Sequence, residues 1–205
     1  MSASMKRRTL LTLCAGAASL VLASYRPAPV TQADRRAGSA GARFADLNPD
    51  RMWPVYRRYH LLIVGPRDDE RGHAFATAVV DVLGRFLPAS RAQLVRAADT
   101  RRLGVLIATD QQDVAVMTSE GTEALYLGKP PFEDIRNAPV RIIVSFGTHA
   151  LVCRPNFKNG HAYMLAKTLA EHKEGLPGPA RLPQGAVPPH PGARAYFAGQ
   201  EMPKD

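Results

Sequence analysis

The sequence predicts an α/β protein with a single doubly wound, mostly parallel sheet of four to five strands. Short apolar runs alternate with segments whose apolar residues recur at helical spacing, and Gly, Pro or Asp separate them. The first such pair is His60–Val64, which ends at Gly65-Pro66, followed by a helix with the apolar stripe Phe75, Val79, Val82 and Phe86. Strands that alternate with helices, and that are apolar on both faces, indicate a sheet covered on both sides.

The next elements follow the same logic. Gln93–Ala97 is predicted to be the second strand, and Asp99 or Thr100 can cap a short helix that carries Leu103 and Ile107. A turn then leads into Val114–Met117, the predicted third strand. We expect Ser119 to cap the following helix, with Glu120 and Glu123 in its first turn and Gly128 at its end.

The last part of the predicted domain contains two strands and one helix. Val140–Phe146 and Ala150–Cys153 are the fourth and fifth strands. Asn159 is the expected cap of the final helix, which presents an apolar stripe and ends at Gly175, with Pro177 beyond it.

Four segments make up the predicted domain organisation. Residues 1–23 have the basic start and uncharged apolar stretch of a cleaved signal peptide, and Arg7-Arg8 also fits a twin-arginine signal, so both the Sec and the Tat route stay open. Residues 24–58 are a flexible leader, 59–174 an α/β lobe, and 175–205 a Pro-rich, irregular tail that packs on the lobe. The expected location is the periplasm.

The charge distribution and the cysteine content of the chain argue against nucleic-acid binding and against an intrachain disulfide. The net charge is +9, and removal of Lys6, Arg7 and Arg8 with the signal would lower it to +6. The remaining basic residues are dispersed and not interleaved with aromatics, which disfavours nucleic-acid binding. Only Cys153 would remain, so no intrachain disulfide is expected, and a buried apolar role is the simplest for it.

The common sequence motifs of catalytic and metal sites do not occur in this chain. Ser145-Phe146-Gly147 lacks the preceding Gly of a nucleophile elbow, and no Gly-rich phosphate loop occurs. No CxxC, HExxH or closely spaced His pair is present. We therefore predict no catalytic residue, no metal ligand and no cofactor.

Several segments resemble one family of transport proteins. They are HLLIVGPRDDERGHAF from His60, the strand Val114-Ala115-Val116, the stretch Ile142–His172, and His190-Pro191-Gly192-Ala193 with Tyr196-Phe197 near the end. Over about residues 59–198 the chain resembles the TAXI family, the extracytoplasmic solute receptors associated with TRAP transporters. The resemblance implies a lobe like that of a type II periplasmic binding protein. A family receptor has two lobes, whereas Arg154–Gly160 here joins the strand pair directly to the final helix, which implies a shortened, one-lobe relative.

The predicted ligand site lies at the carboxyl ends of the strands, where open α/β sheets bind ligands. Arg67, near a helix start, would supply charge, and Thr118, Ser119 and His149 would supply directional hydrogen bonds. The alternatives are that Arg67 is a surface residue neutralised by its acidic neighbours and that Thr118 and Ser119 serve only as helix caps.

The resemblance leads to three hypotheses of function. In the first, the protein binds a small carboxylate or amino-acid solute, or serves as an accessory to a TRAP-type uptake system by contacting its membrane subunit. In the second, it is a periplasmic protein-interaction module without solute binding. In the third, it is a degenerate receptor fragment without ligand activity. A homodimer that buries the open face is a further expectation.

Overall fold

The computed structural model describes residues 60–135 and 138–204. The predicted signal peptide and leader lie outside the described residues. Within those ranges, no helix combines the length and apolar character needed to cross a membrane.

The described residues form five strands and five α-helices, with 3-10 turns at Pro88–Ser90 and Lys173–Gly175. In chain order the elements are β1 (Leu62–Pro66), α1 (Glu70–Phe86), β2 (Gln93–Ala97), α2 (Thr100–Ala108), β3 (Val114–Thr118), α3 (Ser119–Leu127), β4 (Arg141–Ser145), β5 (His149–Cys153), α4 (Asn159–Glu171) and α5 (Pro191–Phe197).

The five strands form one mixed sheet with the order β2-β1-β3-β5-β4. Strands β1, β2 and β3 pair in parallel, whereas β5 is antiparallel to both β3 and β4. Strand β4 therefore runs in the same direction as β1, and β5 alone is reversed. The predicted α/β class with a doubly wound, mostly parallel sheet is confirmed, and the position of the reversed strand distinguishes it from the flavodoxin-like order 2-1-3-4-5.

Helices cover both faces of the sheet. On one face, Phe75, Val79 and Leu83 of α1 pack with α4, α5 and the strand residues Ile63, Val116 and Leu151. On the other, Leu103 and Ile107 of α2, Leu125 of α3 and Phe132 pack on Val64, Ala115 and Val152. Consecutive residues such as Ile63 and Val64 point to opposite cores because side chains alternate along a strand.

Four local predictions were wrong. Helix α4 ends at Glu171 and not at Gly175, which closes the separate 3-10 turn that follows. Strand β1 begins and ends two residues later than predicted, because its hydrogen-bonded ladder with β2 extends through Gly65 and Pro66. The cap of α3 is Thr118, whose hydroxyl accepts from Gly121 N–H, and Ser119 is the first helical residue. The cap of α4 is Lys158, whose side chain makes no capping bond, rather than Asn159.

The C-terminal tail is more ordered than predicted, since it contains α5. Pro191 opens this helix, where its missing N–H costs nothing, and His190 caps it. The His190 ring is fully buried, with Nε2 donating to Phe157 O at 2.9 Å and Nδ1 accepting from Gly192 N–H at 3.2 Å. These two partners select the neutral tautomer with the proton on Nε2.

The same tail covers the outer edge of β4, the last strand of the sheet. Ile142 N–H donates to Pro188 O, His190 N–H donates to Ile142 O, and Ser145 exchanges two main-chain hydrogen bonds of 2.9 Å with Arg181. An edge strand with free main-chain groups is a template for unwanted pairing. The tail occupies these main-chain groups along part of β4.

We predict that Gly192→Ala destabilises the protein and that Gly84→Ala does not. A Cβ atom at Gly192 would lie 2.0 Å from Asn159 O, whereas a Cβ at Gly84, in the exposed interior of α1, would meet nothing within 4 Å. Gly192→Ala should lower the free energy of unfolding by about 1–3 kcal/mol through overpacking. Gly84→Ala should raise it by roughly 0.5–1 kcal/mol through helix propensity. Urea unfolding measures both, and equal midpoints for Gly192→Ala and wild type would contradict the packing of α5 on α4.

Candidate functional site

Three loops meet at the carboxyl edge of the sheet, where β1, β3 and β4 end and the reversed β5 begins. Ser119 links two of them, since its N–H donates to Thr148 O at 2.9 Å and its hydroxyl donates to Gly147 O at 2.7 Å. His149, the first residue of β5, reaches the loop that follows β1. We call this meeting of loops the carboxyl rim.

A hydrogen bond between the His149 ring and the Asp69 carboxylate joins the two sides of the carboxyl rim. Nε2 of His149 donates to the Asp69 carboxylate at 2.8 Å, and the Thr148 hydroxyl lies 3.0 Å from Nδ1. The imidazole is 3% exposed and stacks on Phe75 with ring centroids 4.8 Å apart. Both ring nitrogens therefore have partners, and the ring is held by packing as well.

Asp69 also caps α1, because its side chain accepts from Gly72 N–H at 2.9 Å. Burial of the carboxyl group by itself would raise its pKa. Hydrogen bonds from the Gly72 N–H, the His149 ring and the Arg71 N–H outweigh that cost and hold the pKa of Asp69 below its usual 3.8. A Cβ at Gly72 would lie 2.5 Å from the carboxylate, so the lack of a side chain there lets Asp69 sit close to the helix end.

The Thr148, His149 and Asp69 side chains form a row of hydroxyl, imidazole and carboxylate. That order is the one found in nucleophile–base–orienter triads. Acyl transfer also needs N–H groups aimed at a developing oxyanion. Here the N–H groups of Ser119 and Gly147 are taken by Thr148 O and the Ser145 hydroxyl. The row therefore ties loops together and supplies no oxyanion site from these two donors.

Of the four predicted ligand residues, one has an exposed side chain and three have side chains that form hydrogen bonds within the fold. Arg67 is exposed, and its main-chain N–H donates to Ala97 O at 3.1 Å, which holds the residue at the end of β1. The side chains of Thr118, Ser119 and His149 each have a partner inside the fold. Ser119 and His149 come together through the Gly147–His149 loop, as the sequence suggested. Their roles toward a ligand stay predictions.

Two features of the molecule were not predicted from the sequence: the contact of Asp69 with His149 and a groove at the other edge of the sheet. The sequence indicated Asp69 as a possible helix cap or as one of the acidic neighbours of Arg67, and nothing local to it indicates a partner 80 residues away. The second feature is a groove of about 530 Å³ at the opposite, amino edge of the sheet, between the starts of β1 and β3 and the first turns of α4. No motif marks the groove in the sequence, because its walls come from four separate segments.

No cluster of three or more His, Cys, Asp or Glu side chains that would suit a metal ion occurs among residues 60–135 and 138–204. No protein-family model matches this chain, and no curated protein matches it in sequence. The TAXI resemblance therefore remains a prediction from the motifs quoted above.

We predict that Asp69→Asn is destabilising at neutral pH and less destabilising in acid. Asn caps a helix about as well as Asp, so the variant isolates the charge that faces His149. The loss should be about 1–3 kcal/mol at pH 7. Because the folded pKa of Asp69 is lowered, its stabilisation is present above the usual 3.8 and is lost as pH falls through the folded value.

Denaturant unfolding at pH 7 and at pH 3 compares this variant with Asp81→Asn, which changes an exposed carboxylate on α1. The control should behave like wild type at both pH values. A loss in Asp69→Asn that is equally large at both would show that the charge is not responsible.

Proposed function

We propose that this chain is an exported, one-lobe relative of the TAXI receptors that serves as an accessory to a TRAP-type uptake system by contacting a protein through its carboxyl rim. The observation that carries the proposal is that the polar side chains at that rim already have hydrogen-bond partners. The Thr118 and Ser119 hydroxyls and the His149 ring already have partners, so a solute would have to displace them. The short connection from β5 to α4, residues 154–158, also supports a single lobe.

The charges of the carboxyl rim favour a protein contact over an anion pocket. Exposed side chains of both signs stand together there: Arg67, Arg71, Asp68, Glu70 and Glu120. A solute anion would meet three carboxylates beside two guanidinium groups. Mixed, solvated charges are typical of the polar surfaces by which transient partners orient each other. The Asp69–His149 pair would keep such a surface rigid, so that little conformational entropy is lost on contact.

Site-directed crosslinking tests this proposal. Glu70→Cys places a thiol on the carboxyl rim, and Arg85→Cys places one in the last turn of the same helix, roughly 22 Å away at 1.5 Å per residue. Cys153 is buried and its pKa is raised by that burial, so it will not compete for the photoreactive label. We expect the labelled rim variant, and not the Arg85→Cys control, to crosslink to the membrane subunits of a co-expressed TRAP-type transporter.

Other outcomes of the crosslinking would change the assignment. A rim crosslink to a second copy of this chain would assign the rim to a homodimer. Equal crosslinking from both positions, or none from the rim, would contradict a contact with the transporter through this surface.

A second candidate is the binding of a small carboxylate or amino-acid solute through Arg67. Its support is the exposed guanidinium at the end of β1, next to the amino end of α1, where the helix dipole favours an anion. One lobe leaves a ligand partly solvated, so the affinity should be on the order of micromolar to millimolar.

Calorimetry with dicarboxylates and amino acids tests the second candidate. Arg67→Ala should abolish the binding heat, and Arg85→Ala, which removes an exposed guanidinium at the other end of α1, should retain it. Equal binding by Arg67→Ala and wild type would remove Arg67 from the site.

A further inference from the structure

We propose that the groove at the amino edge of the sheet is the docking site for the end of the predicted leader, residues 52–56 of the same chain. These residues precede the part of the chain that the structure describes. The groove has a volume of about 530 Å³, and the strand starts that line it stand at the edge of the sheet opposite the carboxyl rim. The proposal concerns a contact within one chain and does not depend on either function proposed for the rim.

The first observation is the point at which the chain enters the lobe. His60 and Leu61, the first two described residues, both line the groove. Two main-chain hydrogen bonds fix Leu61 there, since its N–H donates to Ser90 O at 3.0 Å and its carbonyl accepts from Gln93 N–H at 2.9 Å. The residues before His60 therefore start from the wall of the groove.

The second observation is the short length of chain between the segment and the groove. Tyr56 lies four residues before His60, and Trp53 lies seven residues before it. An extended chain spans roughly 13 Å and 23 Å over these lengths, at about 3.3 Å per residue. A segment tied so closely meets the groove at an effective concentration on the order of millimolar, which favours it over a second copy of the chain.

The third observation is that the groove and the segment are both apolar. Leu61, Leu87, Phe157 and Met164 line the groove and are only partly buried. Contiguous apolar surface that stays open to water marks a contact site. Residues 52–56, MWPVY, combine the single Trp of the chain with Met, Val and Tyr. Trp and Tyr bury a large apolar area and keep a polar tip that can stay in water at the edge of a groove.

Pro54 gives the segment a form that suits a groove. A proline disfavours the helical conformation of the residue before it, so Trp53 is biased toward an extended backbone. Side chains alternate along an extended chain, so Trp53 and Val55 lie on the same side of it. We therefore place these two side chains against the apolar wall.

The fluorescence of Trp53 tests the proposal on the full chain, because the chain contains no other Trp. We expect the emission maximum of the folded protein to lie at a shorter wavelength than that of the protein in urea. Acrylamide should quench the folded protein at least threefold less. Both results should be unchanged over a hundredfold dilution, because the contact lies within one chain.

Met164→Asp tests the groove as the docking site. It places a charge in the partly buried wall, and it should raise the quenching of Trp53 at least twofold. Leu127→Asp is the matched control, since Leu127 is an exposed apolar residue at the end of α3, on the other face of the sheet. The control should keep Trp53 as protected as in wild type. Far-UV circular dichroism establishes that each variant is folded.

Hydrogen exchange of Trp53→Ser gives a reciprocal test that leaves the residues of the lobe unchanged. The segments that contain Leu61, Ser90 and Met164 should exchange at least threefold faster than in wild type, because their cover is lost. Strand β3, in the interior of the sheet, should keep its rate.

Three results would overturn the proposal: equal quenching of Trp53 in the folded and unfolded protein, continued protection of Trp53 in folded Met164→Asp, or unchanged exchange around the groove in Trp53→Ser. Protection that disappears on dilution would assign the groove to a second copy of the chain and would overturn it as well. Arg67→Ala should leave the emission of Trp53 unchanged. A failure here is therefore distinguishable from a failure of either function proposed for the carboxyl rim.

Discussion

Strand β5 runs against its neighbours β3 and β4, and this reversal determines what stands at each edge of the sheet. Its first residue, His149, comes to the edge where β1 and β3 end, within 2.8 Å of Asp69. Its last residue, Cys153, lies at the opposite edge. The loop that follows it therefore begins there, and Phe157 and Lys158 line the groove. A parallel strand in the same position would exchange these two sets of residues. Both the carboxyl rim and the groove therefore depend on the direction of one strand.

The C-terminal tail completes the same arrangement from outside. Because β4 is the last strand in the sheet order, no other strand of the described residues pairs with its outer edge. Main-chain bonds from Arg181, Pro188 and His190 cover that edge. The buried His190 ring then joins the tail to Phe157 O, in the loop that leads to α4 and the groove. A change in the position of the tail would reach the groove through this hydrogen bond. The carboxyl rim is held instead by the hydrogen bonds of Ser119 and His149.

Local patterns in the sequence were enough to predict the strands, the first four helices and the class of the sheet, because apolar periodicity reports burial directly. They failed where a distant residue decides the outcome. Ser119 does not cap α3, since its hydroxyl bonds Gly147 O instead. Asp69 and His149 meet only after the sheet has formed. The helix α5 was missed because the many Pro residues around it mask a short segment that tertiary packing stabilises.

The two edges of the sheet differ in how completely their polar groups are satisfied. At the carboxyl rim, the hydroxyls and the imidazole that could bind a solute already have partners, so a ligand there would replace bonds of similar strength and gain little. At the amino edge, the buried side-chain Oε1 of Gln112 has no hydrogen-bond partner among the described residues, and it has almost no accessible surface. Hydrogen-bond energetics therefore support the proposed protein contact at the carboxyl rim over the binding of a small solute there. Arg67 is exposed, and its chain neighbours Asp68 and Glu70 partly offset its positive charge before any solute arrives. This supports the proposed protein contact over an anion pocket.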